Sequence, residues 1–217
     1  MDPRQLQESM LFRGMDETEV AETLKGLDAG EKRFKKGEML LMAGTITDRM
    51  GLVLEGSVTI ESTDAWGNRT IISHVGRSQV FAETYALLGQ EPMLVDVTAN
   101  EDCRILFLKC GRIREPNSRL EPWALKCIQN LLTISMHKNL SLSRRGFHTA
   151  PKTIRGRVMA YLNSVSLQKC SREFDIPFDR QQLADYLNLE RSALSKELGK
   201  MQKEGLISCR KNHFRIR

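Results

Sequence analysis

Between residues 30 and 109 the apolar positions come in short runs: "EMLLMAG", "MGLVLEG", "SVTIES", "RTIISHVG" and "CRILFLK". Glycines at 37, 44, 51, 56, 67 and 76 punctuate them. Short runs rich in strand-forming residues, bounded by turn signals, predict a β-sandwich or barrel. "GLVLEGSVTI" reads as two strands meeting at Glu55-Gly56, and "DAWGN" as a turn between two more. Within "FAETYALLGQEPMLVDVTA", residues 81–99, the acid Glu83 sits at the edge of an apolar turn and "MLVDVTA" continues as strand.

Elsewhere the apolar spacing lengthens to three and four. Residues 3–27 predict one or two short helices, with Asp16 as N-cap, Glu19 as its capping-box partner and Leu24 and Leu27 on the apolar edge. The longest helical pattern covers 120–145, with Pro122 in its first turn. Ala124, Cys127, Ile128, Leu131, Leu132 and Ser135 form its stripe, which Leu142 extends. "GFHTAPKT" then breaks the pattern and reads as a hinge, and 153–168 resume a helix with Ile154, Val158, Tyr161 and Leu162 on one face.

The end of the chain is the most specific part. Asp179 caps a short helix, "RQQLADYL", whose buried side carries Leu183 and Leu187. Asn188 and Leu189 turn the chain, and "RSALSKELGKMQKEG" makes a second helix with Leu194, Leu198 and Met201 inward and Gly205 at its end. "LISCRKNHFRIR" closes as a hairpin turning near Lys211-Asn212. Helix, tight turn and second helix make a helix-turn-helix, here with a wing. Arg191, Ser192, Ser195 and Lys196 lie on the exposed N-terminal face of the second helix, the end that meets base edges in a major groove. Arg180 and Gln181 begin the first helix, where phosphates are met.

Charge sharpens this division. Residues 144–217 hold 16 Lys/Arg against 7 Asp/Glu, a net of +9, and residues 1–143 hold 17 against 20, a net of −3. A basic third on a slightly acidic body fits a polyanion-binding module joined to a different kind of domain. No apolar run approaches the ~20 residues that span a bilayer, and the start of the chain lacks the layout of a signal peptide. A cytoplasmic protein without a membrane partner is therefore expected. The five cysteines, at 103, 110, 127, 170 and 209, have no C-x-x-C spacing and no His placed to complete a zinc signature, so no metal site is expected. They read as buried thiols, with a redox sensor as the alternative. No nucleophile elbow or glycine-rich phosphate loop appears, and Glu83 has no acid/base partner nearby in sequence, which argues against an enzyme.

The order of these parts resembles bacterial transcription regulators of the CRP/FNR family. The residues that carry the likeness are the glycine-marked β-roll, "FAE" at the phosphate-cassette position, the long helix, the hinge and "RQQLADYLNLERSALSKEL". The resemblance implies an α+β chain in three parts. Residues 1–119 would form a cyclic-nucleotide-binding-like β-roll (a double-stranded β-helix, or jelly roll), 120–148 a dimerisation helix and hinge, and 149–217 a winged helix-turn-helix. It further implies a homodimer, a small effector beside the long helix, double-stranded DNA bearing a pseudo-palindromic operator, and RNA polymerase as partner. The hinge would set the spacing of two recognition helices to about one DNA turn, roughly 34 Å.

The departures are equally specific. Cyclic-nucleotide members carry Gly-Glu and, about ten residues on, Arg-Ser or Arg-Thr, whose Arg neutralises the phosphate. Here the pairs read Ala82-Glu83 and Met93-Leu94, the next Arg is Arg104 in the following strand, and Asn139-Leu140 stands where cyclic-AMP sensors place Thr-Ser. Burying a phosphate without a cation is costly, which argues against cyclic AMP. No Cys precedes Cys103, against the iron–sulfur cluster of oxygen sensors, and His74 alone does not make a haem site. The effector lining that remains is Glu83, Thr84, Tyr85, Leu94 and Val95, with Ile128, Leu131, Leu132 and Ser135 from the long helix. It is mostly apolar with a few polar groups, as small-molecule sites are, and fits a small organic effector. The same residues would also fill a core with no ligand, which leaves an effector-independent regulator open. In the recognition helix, Ser192 replaces the Glu of catabolite-activator types and removes an acceptor for a cytosine amino group, so the operator should differ at that base pair.

Overall fold

The computed structural model describes residues 6–63, 69–114 and 121–217. The expected "DAWGN" turn lies outside them. The chain forms two compact units, Met1–Ser135 and Met136–Arg217.

After a 3-10 turn at Met10–Phe12, the first unit forms a helix, α1 (Glu17–Gly26), started by the predicted capping box: Asp16 accepts from the Glu19 N–H at 2.9 Å and the Glu19 carboxylate accepts from the Asp16 N–H at 3.0 Å. Eight strands follow: β1 (Gly30–Phe34), β2 (Met39–Leu41), β3 (Arg49–Glu55), β4 (Val58–Thr63), β5 (Arg69–Val75), β6 (Val80–Phe81), β7 (Asp96–Ala99) and β8 (Cys103–Lys109). They pair antiparallel in two sheets, ordered β1-β8-β3-β6 and β2-β7-β4-β5. Gly56, at φ +74°, turns β3 into β4 at the predicted place. "MLVDVTA" contributes strand only from Asp96; Met93 instead ties back to the loop before β3, its N–H donating to the Thr45 carbonyl and its carbonyl accepting from Gly44 N–H.

Strand alternation explains why "CRILFLK" is apolar throughout. Successive side chains point to opposite faces, and both faces of the β1-β8-β3-β6 sheet are covered. Val53, Ile105 and Phe107 face the interior of the roll with Phe81, Met93 and Val97. Met50, Leu52, Leu106 and Leu108 face the opposite way, onto Leu11, Phe12, Val20 and the buried side of the long helix. Inside the roll Phe34 and Phe81 each meet Phe107 edge-on, at 6.2 and 6.4 Å between ring centres. Gly51 opposes Phe81 across the β3–β6 pair, and a Cβ there would stand 2.1 Å from the ring. Glycine at this position lets the aromatic ring lie on the strand.

Between β6 and β7 runs α2 (Glu83–Leu88), entered through Ala82 at φ 59°, ψ 11°. This left-handed conformation costs a residue with a Cβ about 1–2 kcal/mol. Ala82→Gly is expected to stabilise the first unit by about 1 kcal/mol in urea unfolding, the relief of strain exceeding glycine's extra chain entropy. A destabilised variant would remove this account of the turn.

The long helix, α3 (Pro122–Thr149), continues through Gly146, Phe147 and His148, so the break expected over "GFHTAPKT" is confined to the residues between Thr149 and the next helix. The expected single stripe is in fact two. Trp123, Ala124, Cys127, Leu131 and Ile134 are buried in the helix-side core, while Leu125, Ile128 and Leu132, and further along Met136 and Leu140, are exposed.

The second unit adds α4 (Ile154–Lys169), β9 (Glu173–Asp175), α5 (Arg180–Tyr186), α6 (Arg191–Lys203), β10 (Ile207–Arg210) and β11 (His213–Ile216). Its core joins Val158, Tyr161 and Leu162 of α4 to Leu183, Leu187, Leu194, Leu198 and Met201, with Phe174, Ile207 and Phe214 from the sheet β10-β11-β9. Asp179 caps α5 in a box completed by Gln182, Asn188 takes the left-handed turn at φ 53°, Gly205 ends α6 at φ +74°, and Lys211 turns the wing at φ 56°. The helix-turn-helix and its wing thus form where their sequence signals place them.

Candidate functional site

In the first unit, Glu83 begins α2 and is buried, Thr84 is exposed and Tyr85 half-buried. The Tyr85 hydroxyl accepts from the Leu94 N–H at 3.3 Å, which brings these two predicted residues together through backbone. The Leu94 side chain itself is 76 % exposed and Val95 half-buried, whereas Met93 is 1 % exposed in the roll interior. On α3 the four predicted lining residues diverge: Leu131 is buried, Ser135 half-buried, and Ile128 and Leu132 lie on the exposed face. Within one chain the nine residues therefore do not share a single enclosed lining.

Arg104 accounts for itself elsewhere. Its guanidinium meets Glu55 at 2.6 Å and Glu31 at 3.3 Å. His74 packs at the surface of β5 with its Nδ1 3.0 Å from the Asn100 amide. Burial pushes the thiols of Cys110 and Cys127 up to about 12, with each other's proximity adding at Cys110, and burial also raises Cys103. Such thiols are protonated and unreactive at neutral pH. Cys170 is exposed and Cys209 half-exposed. Among the described residues no group of three or more His, Cys, Asp or Glu is placed to hold a metal ion, and no helix is long and apolar enough to cross a membrane.

In the second unit, Arg191, Ser192, Ser195 and Lys196 are all exposed on α6, opposite the buried Leu194, Leu198 and Met201. A cleft of about 740 Å³ opens beside the start of α6, lined by Asp179, Arg180, Gln181, Arg191, Lys211 and Asn212 among others. It brings together the starts of both helices and the wing tip. Arg180 plays a part there that sequence spacing did not reveal: its guanidinium donates to the Lys211 carbonyl at 3.4 Å and lies over the Phe214 ring at 5.9 Å, so it steadies the wing. Gln181 donates to Asp185 at 2.8 Å. The orientation of α6 is set by Arg155 of α4, which donates through Nε to Glu197 at 2.7 Å and through its fork to Glu204 at 2.7 and 2.9 Å.

Further functional candidates went unread in the sequence. Arg145 and Arg157 bond the turn between α5 and α6. His148 is buried against Tyr161 and Tyr186, its Nδ1 2.9 Å from the Tyr186 hydroxyl. Wing residue His213 sits between Glu173 and Asp175, 3.0 Å from each, with Arg215 also on Glu173 at 3.2 Å. Isolated basic residues and lone histidines carry no periodic signal, so only their placement reveals them.

The two histidines titrate in opposite senses. Burial, aided by Arg144, lowers His148 below its ordinary 6.5; bonds to Glu173 and then Asp175 raise His213 above it. A lowered His contributes stability that is present above its unfolded value and lost as pH falls toward the folded one. A raised His contributes below its unfolded value and loses that contribution as pH rises through the folded one. Hydrogen-exchange protection of the α5 and α6 amides in the whole protein is thus expected to peak near pH 6.5. His148→Phe should flatten the acid limb and His213→Gln the alkaline limb; a profile unchanged by both would contradict these assignments.

Two family models match. The cyclic nucleotide-binding domain matches residues 31–115, the β-roll, and the Crp-like helix-turn-helix domain matches residues 156–217. A curated relative, the transcriptional activator protein FnrL of Cereibacter sphaeroides, is 23 % identical over 186 residues, 82 % of this chain and 72 % of that protein. Among solved structures, the Thermus thermophilus catabolite activator protein aligns over 96 % of this chain and 94 % of its own, with 23 % identity and a TM-score of 0.52. The global regulator CLP of Xanthomonas campestris aligns over 93 % and 99 %, with 16 % identity and a TM-score of 0.60. The two matched domains occur in the order, and at the elements, already derived from the residues. The chain belongs to the CRP/FNR family of transcription regulators, with an N-terminal effector-type β-roll and a C-terminal helix-turn-helix.

Proposed function

We propose that the protein works in the cytoplasm as a homodimer that binds a pseudo-palindromic DNA operator under the control of a small organic effector. The observation that carries the DNA reading is the exposed N-terminal face of α6, with Arg191, Ser192, Ser195 and Lys196 beside a cleft shared with the wing tip. Arg offers two donors to a guanine edge and the serines can donate or accept. The exposed stripe Leu125, Ile128 and Leu132, continued by Met136 and Leu140, supports dimerisation along α3. A second copy would cover it and bring two recognition helices to half-sites about 34 Å apart. RNA polymerase is the natural partner of such a DNA-bound dimer.

The chemistry of the roll favours an effector other than a cyclic nucleotide. Met93 fills the interior where the family's phosphate-neutralising Arg would stand, and Arg104 is engaged by Glu31 and Glu55. A phosphate placed there would lack a cation. Glu83 and Tyr85 supply the polar groups, and Ile128 and Leu132 of a second copy would complete the apolar side. The effector acts only through its different affinities for the two dimer states.

Operator selection from random duplexes, followed by gel shift, tests the DNA reading; failure to enrich any sequence would sink it. Native mass spectrometry of protein purified from its own host tests the effector. A bound cyclic nucleotide would overturn the argument from Met93.

A further inference from the structure

The turn between α5 and α6 presents four consecutive carbonyls, from Asp185 to Asn188, at the end of a short helix. Carbonyls in a last turn lack the usual i+4 partner, although Asp185 O also accepts from the Leu187 N–H and, at 3.3 Å, from the Asn188 N–H. Two arginines from outside the helix-turn-helix meet all four. Arg145, on α3, donates through Nε to Tyr186 O and through its terminal nitrogen to Asp185 O, each at 3.2 Å. Arg157, on α4, donates to Leu187 O at 3.2 Å and Asn188 O at 3.0 Å. Arg145 also reaches the Asn188 side-chain oxygen at 3.2 Å, and its guanidinium lies 5.8 Å from the centre of the Tyr186 ring. Asn188 is the left-handed residue on which the turn pivots. One turn further along α3, His148 bonds the Tyr186 hydroxyl at 2.9 Å.

We propose that Arg145 is a positioning residue for operator recognition: from the end of the long helix it fixes the α5–α6 turn, and through the turn the angle at which Arg191 and Lys196 are presented. The inference rests on the DNA reading above and adds a determinant that touches no base. Several features favour this role over a phosphate contact. The Arg145 Nε and one terminal nitrogen together meet three acceptors of the turn, and the side chain is half-buried. The planar fork is what the geometry uses, since a lysine keeps the charge but cannot meet Tyr186 O, Asp185 O and Asn188 Oδ1 from one rigid plane. A cation at the C-terminal end of α5 also complements the helix dipole.

The test compares wild type, Arg145→Lys and Arg145→Ala in the full chain, on the selected operator and on a random duplex of equal length, across a salt series. Both variants are expected to lose about tenfold or more in operator affinity. Random-duplex affinity and the salt slope should stay as in wild type. Equal losses on both duplexes, with the salt slope reduced by about one, would mark a phosphate contact and overturn the proposal. Unchanged operator affinity would overturn it as well. Should Arg145→Lys lower the thermal midpoint, Asn188→Gly carries the same test, since it keeps the left-handed turn and removes only the side-chain acceptor. Operator preference should fall there too, and an unaltered preference counts against the proposal. A wild-type protein that selects no operator would refute the DNA reading itself, an outcome separate from the failure of Arg145.

Discussion

Arg191→Ala is expected to lower operator affinity by about 1–3 kcal/mol, roughly 5- to 150-fold, and to relax base preference at one position of each half-site. Arg191 is the first residue of α6 and is exposed. The neighbouring arginines differ: Arg145, Arg155 and Arg157 have their guanidinium groups taken by the protein's own carbonyls and carboxylates. A buried or internally bonded Arg would lower stability when removed. An exposed one at the recognition end should leave the unfolding midpoint in place and change only DNA binding. Competition gel shifts against operators substituted one base pair at a time measure this. A variant that binds every substituted operator as wild type does would show that the recognition helix has been misassigned.

The largest loss should come from the exposed stripe of the long helix. If the proposed dimer forms along this stripe, Ile128→Asp combined with Leu132→Asp is expected to turn it into a monomer and to lower operator affinity on the order of 10²–10⁴-fold, because two half-site contacts no longer act together. Leu132 is 55 % exposed and Ile128 39 % exposed in the single chain, so neither substitution opens a cavity in the core formed by Trp123, Cys127, Leu131 and Ile134. Charge placed in an apolar contact between copies is strongly disfavoured. Sedimentation velocity with and without operator separates the outcomes. A variant that still sediments as a dimer would place the contact between copies elsewhere on the chain.

Much of the fold was legible because its signals are local. The Asp16 and Asp179 caps, the left-handed Asn188 and the glycine turns at 56 and 205 each act within a few residues, and each appears where the pattern placed it. The exposed face of α6 was legible for the same reason: Leu194, Leu198 and Met201 define its buried side, so Arg191, Ser192, Ser195 and Lys196 must face solvent. The effector side was less legible. Met93 and Leu94 are adjacent and equally apolar, yet one fills the roll and the other points outward. They precede the strand, where alternation cannot assign faces, and the backbone bonds of Met93 to Gly44 and Thr45 decide the matter.

The sequence by itself determined the strand-rich first part and the winged helix-turn-helix, because periodicity, capping and turn chemistry depend on neighbours in the chain. Tertiary structure alone decided which half of the α3 stripe is core and which is exposed, that Arg180 steadies the wing, and that Arg145 and Arg157 together bond the four carbonyls of the α5–α6 turn. Those arginines lie some 30 to 43 residues from their acceptors. Over such separations a basic residue in the sequence is only a charge, and folding supplies the geometry that makes it a donor to one particular carbonyl.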